Sequence, residues 1–205
     1  AIDKDNHIIL DEKYLKPLVK TFFGDVVQIS NGYPIPTYDW FYKNLCNADG
    51  TISLRPFLDL ISNSIQNYFD QMRTNSYRMN RFPTPILDHR YFTYGEMRKK
   101  AVERHFQDLA MEEGNEDLTR IFNYIQLHAP ANLRKSFLTT NELKILFEKV
   151  KETYPMEHTN FDDLSNLLTD NGVIGKKPKP GGYVTYEFAL LYKYYLGLSN
   201  KRKLV

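Results

Sequence analysis

The chain has 205 residues, with 27 Lys and Arg against 25 Asp and Glu, 42% hydrophobic residues, 15 Tyr and 13 Phe. That length suits one large domain or two small ones with ample core, and the aromatic excess predicts a packed fold with some surface to share. The single cysteine, Cys46, excludes an internal disulfide and fits a reducing compartment. No apolar run approaches the roughly 20 residues of a spanning helix, and no signal-peptide pattern begins the chain. A cytoplasmic protein without a membrane partner is therefore expected, and a first residue that is Ala1 rather than Met suggests a piece of something longer.

In chain order, Leu10 to Phe23 reads as an amphipathic helix stopped by Gly24. Val26 to Ile29 is short and extended, and Asn31 to Pro36 is turn chemistry. Thr37 is expected to cap a helix through Trp40, Phe41 and Leu45, broken at Asn47 to Gly50. Ser53 caps a longer helix with Pro56 near its first turn, whose apolar stripe is Leu58, Ile61, Ile65 and Phe69. Residues 72–87 read as an irregular connector. Thr93 and Glu96 form a capping box for a long helix through Ala110, ended at Gly114. Asn115 to His128 is one further helix, and Ala129 to Leu138 a linker carrying Arg134 and Lys135.

The strongest pattern lies between Thr139 and Leu196. Thr139 and Glu142 form a second capping box, followed by Leu143, Leu146, Phe147 and Val150 at helical spacing until Tyr154-Pro155. Phe161, Leu164, Leu167 and Leu168 make another apolar stripe, closed by Asn171-Gly172. Val173-Ile174 starts a strand, Lys176 to Gly182 turns, Tyr183 to Phe188 returns, and an aromatic helix ends at Leu196. Helix, turn, helix, strand, loop, strand is the order of a winged helix-turn-helix. The expected fold is mainly α: a helical, lid-like region over 1–112, then a winged-helix domain over 113–205 with a small β-hairpin wing and a basic tail.

Charge is unevenly spread. From Val173 onward Lys176, Lys177, Lys179, Lys193, Lys201, Arg202 and Lys203 face one acid, Glu187, which leaves a net charge of about −4 on residues 1–172. A basic end on a mildly acidic body suits a localised anionic partner such as nucleic acid; a solvated tail and a polar turn account for the same charges. The expected recognition helix, Asn160 to Asp170, carries Asp162, Asp163 and Asp170 and no cation, so it suits neither phosphates nor base edges. Any duplex contact is expected at the wing, as non-specific backbone contact through Lys176, Lys177 and Lys179, joined by Lys193, Lys201 and Arg202.

No phosphate-cradling loop, H-E-x-x-H, cysteine pair or G-x-S-x-G turn occurs. The five histidines are scattered, and Glu103 and His105 sit two residues apart on a helix, facing different directions. The chain is read as having no catalytic site, metal site or cofactor of its own.

Two stretches carry a family resemblance. Gly50-Thr51-Ile52-Ser53-Leu54-Arg55-Pro56-Phe57-Leu58-Asp59-Leu60-Ile61 resembles the lid helix of AAA+ and related STAND-type P-loop ATPases, in which a Gly precedes an Arg that opens an amphipathic helix. Tyr186 to Leu196 is similar to the last strand and following helix of the winged domain in such ATPases. The resemblance spans about residues 37–196 and implies the lid and C-terminal winged helix of a bacterial ATPase without its nucleotide-binding core. It also implies that Arg55 is a sensor arginine reaching the terminal phosphate of ATP-Mg held by that core. The leading expectation is a non-catalytic module coupling nucleotide state to nucleic-acid contact. A protein-interaction module without DNA is the alternative, with Tyr192, Tyr194 and Tyr195 and the acidic helix packed on a partner. A stand-alone transcription regulator is a third.

Overall fold

The structure is a computed structural model that describes residues 12–28, 32–74 and 85–199. It is mainly helical, with two small antiparallel sheets. Helix α1 (Glu12–Phe23) ends at Gly24, whose φ of +89° supplies the left-handed stop. Strands β1 (Val26–Val27) and β2 (Ile35–Pro36) pair and lead straight into α2 (Thr37–Leu45). Because that pairing holds Pro36 extended, Pro36 takes the cap position. Thr37 is the first helical residue, not the cap, and its amide donates to the Asp25 carbonyl.

Helix α3 (Leu54–Thr74) begins directly after Ser53 and runs three residues into the stretch expected to be irregular; residues 75–84 lie outside the described ones. Its inward face is not the predicted stripe. Leu60 and Ser64 are fully buried, while Leu58, Ile65 and Phe69 are about half exposed. The apolar arc of α3 is wider than the neighbouring core covers, and periodicity alone does not say which side of it packs. Next, α4 (His89–Phe92) is a single turn capped by Asp88. The Thr93 amide donates back to the His89 carbonyl, so Thr93 closes α4 and does not cap α5 (Gly95–Ala110), which starts at Gly95 without a side-chain cap. A Cβ on Gly95 would stand 2.7 Å from the ring of Tyr194, so the helix start is shaped by a contact 99 residues away.

The remaining elements are α6 (Glu116–Leu127), β3 (Phe137–Thr139), α7 (Thr140–Thr153), α8 (Phe161–Asp170), β4 (Ile174–Pro178), β5 (Val184–Phe188) and α9 (Leu190–Lys193). The capping box of α7 forms as predicted: Glu142 N–H donates to Thr139 Oγ1 at 3.2 Å, and Thr139 N–H to Glu142 Oε2 at 2.9 Å. Strand β3 occupies the end of the expected linker and pairs with β5, giving sheet order β3-β5-β4. Asp117 of α6 is fully buried and accepts the Glu157 and His158 amides and the Arg120 and His158 side chains, tying α6 to the α7–α8 turn. The buried side chains of both expected regions form one cluster, from Val27 and Trp40 through Phe122 to Tyr192 and Leu198.

Candidate functional site

The hairpin of β4 and β5 carries the predicted cations, but differently from expectation. Pairing continues from Ile174↔Phe188 to Pro178↔Val184, so Lys176 and Lys177 stand on a strand and the loop is confined to the residues after Pro178. Pro178 is tolerated there because β4 is the edge strand. The Lys179 amide donates to the Tyr183 carbonyl at 2.8 Å and closes the tip, where Gly181 and Gly182 both have positive φ.

Strand alternation then separates the lysines. Tyr186 and Phe188 are buried, which fixes the core face of β5, and their partners Lys176 and Ile174 share that face. Lys176 accordingly reaches α8, donating to Asn166 Oδ1 at 3.3 Å. Lys177, opposite Thr185, and Lys179, opposite Tyr183, lie on the outward face. Neither has a carboxylate partner among the described residues, and one acid, Glu187, lies at the root of that face. On α8, Asp162, Asp163, Asn166 and Asp170 are exposed, an acidic surface beside the hairpin.

Arg55 opens α3 and is about half exposed, with Nε 2.9 Å from Asp108 Oδ2 on α5. Beside that pair, His105 lies 3.5 Å from the buried Tyr192 hydroxyl. Burial lowers the pKa of His105 and raises that of Tyr192 well above the ordinary phenol range. The loop before α3 is rigidly built. Asn47 N–H donates to the Thr51 carbonyl, Asp49 accepts both the amide and the hydroxyl of Thr51, and these bonds hold the Asp49 pKa down. The loop docks on the root of the hairpin: Ala48 N–H donates to the Gly172 carbonyl at 2.7 Å, and Gly175 faces Ala48. A Cβ on Gly172 would lie 2.7 Å from that of Asn47, so the α8–β4 corner accepts the loop only as glycine.

Lys193 does not join the hairpin lysines: it lies on α9, which packs against α2 and α5, with its ammonium 5.2 Å from the Tyr194 ring. Lys201 and Arg202 lie outside the described residues. Arg134 and Lys135 flank the described end of the chain, where Ser199 pairs beside Lys135; the Lys135 ammonium donates to Glu142 at 2.6 Å.

Three features escaped sequence reasoning: the Ala48–Gly172 dock, the outward position of Tyr183, and the buried Arg98. The last is sandwiched between Trp40 and Tyr194, 5.4 and 4.0 Å from the ring centroids, and donates to Asn44; desolvation lowers its pKa to about 10. Among the described residues no cluster of His, Cys, Asp or Glu is arranged to hold a metal ion, and no helix is long and apolar enough to cross a membrane. Compared with protein-family profiles, with characterised proteins and with solved structures, the chain matches none.

Proposed function

We propose that this chain is the lid and winged-helix region of a P-loop ATPase, coupling nucleotide state at Arg55 to nucleic-acid backbone contact at the β4–β5 wing. The observation that carries this reading is the Ala48–Gly172 dock, which joins the loop leading to Arg55 with the corner from which the wing strand departs. The order α6, β3, α7, α8, β4, β5, with β3 paired to β5, supports the winged-helix assignment. The partner of Arg55 supports a sensor role. A half-exposed ion pair contributes only about 0–1 kcal/mol, so a phosphate on a neighbouring domain, matched to guanidinium geometry, competes for Arg55 at little cost. Release of Asp108 would then be felt by the α3 start and its preceding loop.

In this reading α8 is not a base reader, because three exposed aspartates repel phosphates. Duplex DNA is held on the outward face by Lys177 and Lys179 without sequence preference, with Lys176 adding positive charge from the other side of the strand. Titration of the chain with a labelled duplex tests it: binding at low salt should be lost when these three lysines are replaced by Ala, and absence of binding by the wild type contradicts the reading.

One observation favours the second reading, a protein-interaction module. Leu54, Leu58, Ile65 and Phe69 on α3 are between 41% and 66% exposed. Near the start of α3 an apolar groove of about 150 Å³ opens between Val19, Tyr42, Leu45 and Ile52. Exposed apolar surface of this kind marks contact with another protein. The two readings are compatible where the partner is the ATPase core itself.

A further inference from the structure

The outward face of the wing carries more than cations. Tyr183 is opposite Lys179 at the tip, and Lys177 and Thr185 are the next pair on the same face. Directly opposed residues of an antiparallel pair place their Cβ atoms about 5 Å apart, and next neighbours along the strand lie within about 7 Å. Tyr183, Lys177 and Lys179 thus spring from a single small patch of the outward face. Tyr183 is 74% exposed. One edge of its ring rests beside Gly181, where a Cβ would come within 3.1 Å of Cε2, so the ring is positioned by the tip. It makes no ring–ring contact among the described residues. Other aromatics such as Tyr33 and Tyr94 are exposed too, but Tyr183 stands at a hairpin tip beside two outward lysines that have no carboxylate partner among the described residues, which makes it a platform.

We propose that the wing binds single-stranded nucleic acid, with an unpaired base stacked on Tyr183 and the flanking phosphates on Lys177 and Lys179. This rests on the reading of the wing as a nucleic-acid contact and specifies its substrate. A duplex presents no free base face, whereas an unpaired strand offers one at every nucleotide, and stacking on an aromatic is tolerant of sequence. Two lysines a strand step apart follow the phosphates on either side. The polar hydroxyl of Tyr183 is not required, so a phenylalanine should serve equally.

The test is fluorescence anisotropy with a labelled single strand and a duplex of the same sequence, at several salt concentrations, for the wild type, Tyr183→Phe, Tyr183→Ala and the double variant Lys177→Ala/Lys179→Ala. The wild type and Tyr183→Phe are expected to prefer the single strand. Tyr183→Ala should weaken single-strand binding by about tenfold while leaving duplex binding within about twofold, and the double lysine variant should weaken both. If duplex and single strand bind alike and Tyr183→Ala changes neither, the stacking inference is overturned while the wing contact stands. If no oligonucleotide binds, or an acidic peptide binds as tightly as the single strand, the nucleic-acid reading falls with it. Thermal melts of each variant exclude a folding defect, since all three positions are on the surface.

Discussion

Ala48 donates its amide proton to the Gly172 carbonyl at 2.7 Å, joining residues 124 positions apart and two parts of the chain that sequence assigns to different modules. A bond of this kind contributes about 0.5–1.5 kcal/mol net. Its importance is geometric, because Gly172 also closes α8 with φ +65° and meets Asn47 at the distance of a missing side chain.

Gly172→Ala should therefore destabilise the protein by about 1–3 kcal/mol, from left-handed strain and a clash with Asn47. Gly182→Ala, with a similar φ of +79° but open space around it, should cost less. Chemical denaturation of both variants makes the comparison; equal losses would show that the dock contributes no constraint.

Arg55→Ala should leave stability within about 1 kcal/mol of wild type, because its ion pair with Asp108 is half exposed. A larger loss in denaturant midpoint would make Arg55 a structural residue and remove the argument that a phosphate can borrow it.

Arg98 predicts the opposite sensitivity. Its planar guanidinium fills the space between Trp40 and Tyr194, so Arg98→Lys should destabilise by about 1–2 kcal/mol although charge is retained. Thermal melts of the Lys and Met variants separate stacking from charge: stacking predicts that neither restores wild-type stability.

Acid should destabilise the fold in two steps. Burial lowers the His105 pKa below its ordinary value near 6.5, so the unfolded chain takes up that proton first, and stability falls as pH drops below about 6.5. Asp117 behaves as a depressed carboxylate. Burial alone would raise it, but the His158 and Glu157 amides and Arg120 outweigh that effect. Its contribution is present above the unfolded pKa of about 3.9 and is lost as pH falls through the lower folded value. Urea midpoints from pH 8 to 3 should show both steps, with His105→Gln removing the upper one and Asp117→Asn reducing the lower, to which the depressed carboxylates of Asp49, Asp88 and Glu142 also contribute.

Local signals were the legible ones. The Thr139–Glu142 box, the α7 and α8 stripes and the Gly172 stop are visible in sequence because each depends on residues within one or two turns. Thr93–Glu96 has the same letters as a box and fails, because Asp88 starts a separate turn that Thr93 ends and because Tyr194 dictates where α5 begins. The α3 stripe has the correct period but is rotated from the packed side, so that Ile61 meets the core while Leu58, Ile65 and Phe69 stay exposed. Strand β3 is three residues long and exists through pairing with β5. The hairpin lysines were recognisable as a cluster, yet the division between Lys176 and the outward Lys177 and Lys179 needed the β4–β5 register. The Ala48–Gly172 dock has no sequence signature, since any residue supplies an amide.

The most direct measurement of the central claim is duplex affinity as a function of salt. Each phosphate neutralised adds about 0.9 to the slope of log K against log salt. Replacing Lys176, Lys177 and Lys179 by Ala should therefore flatten the slope by about 2–3 and weaken binding most at 50 mM salt or so. An unchanged slope, or no duplex binding by the wild type at that salt, would contradict the assignment of the β4–β5 hairpin as a duplex-backbone contact.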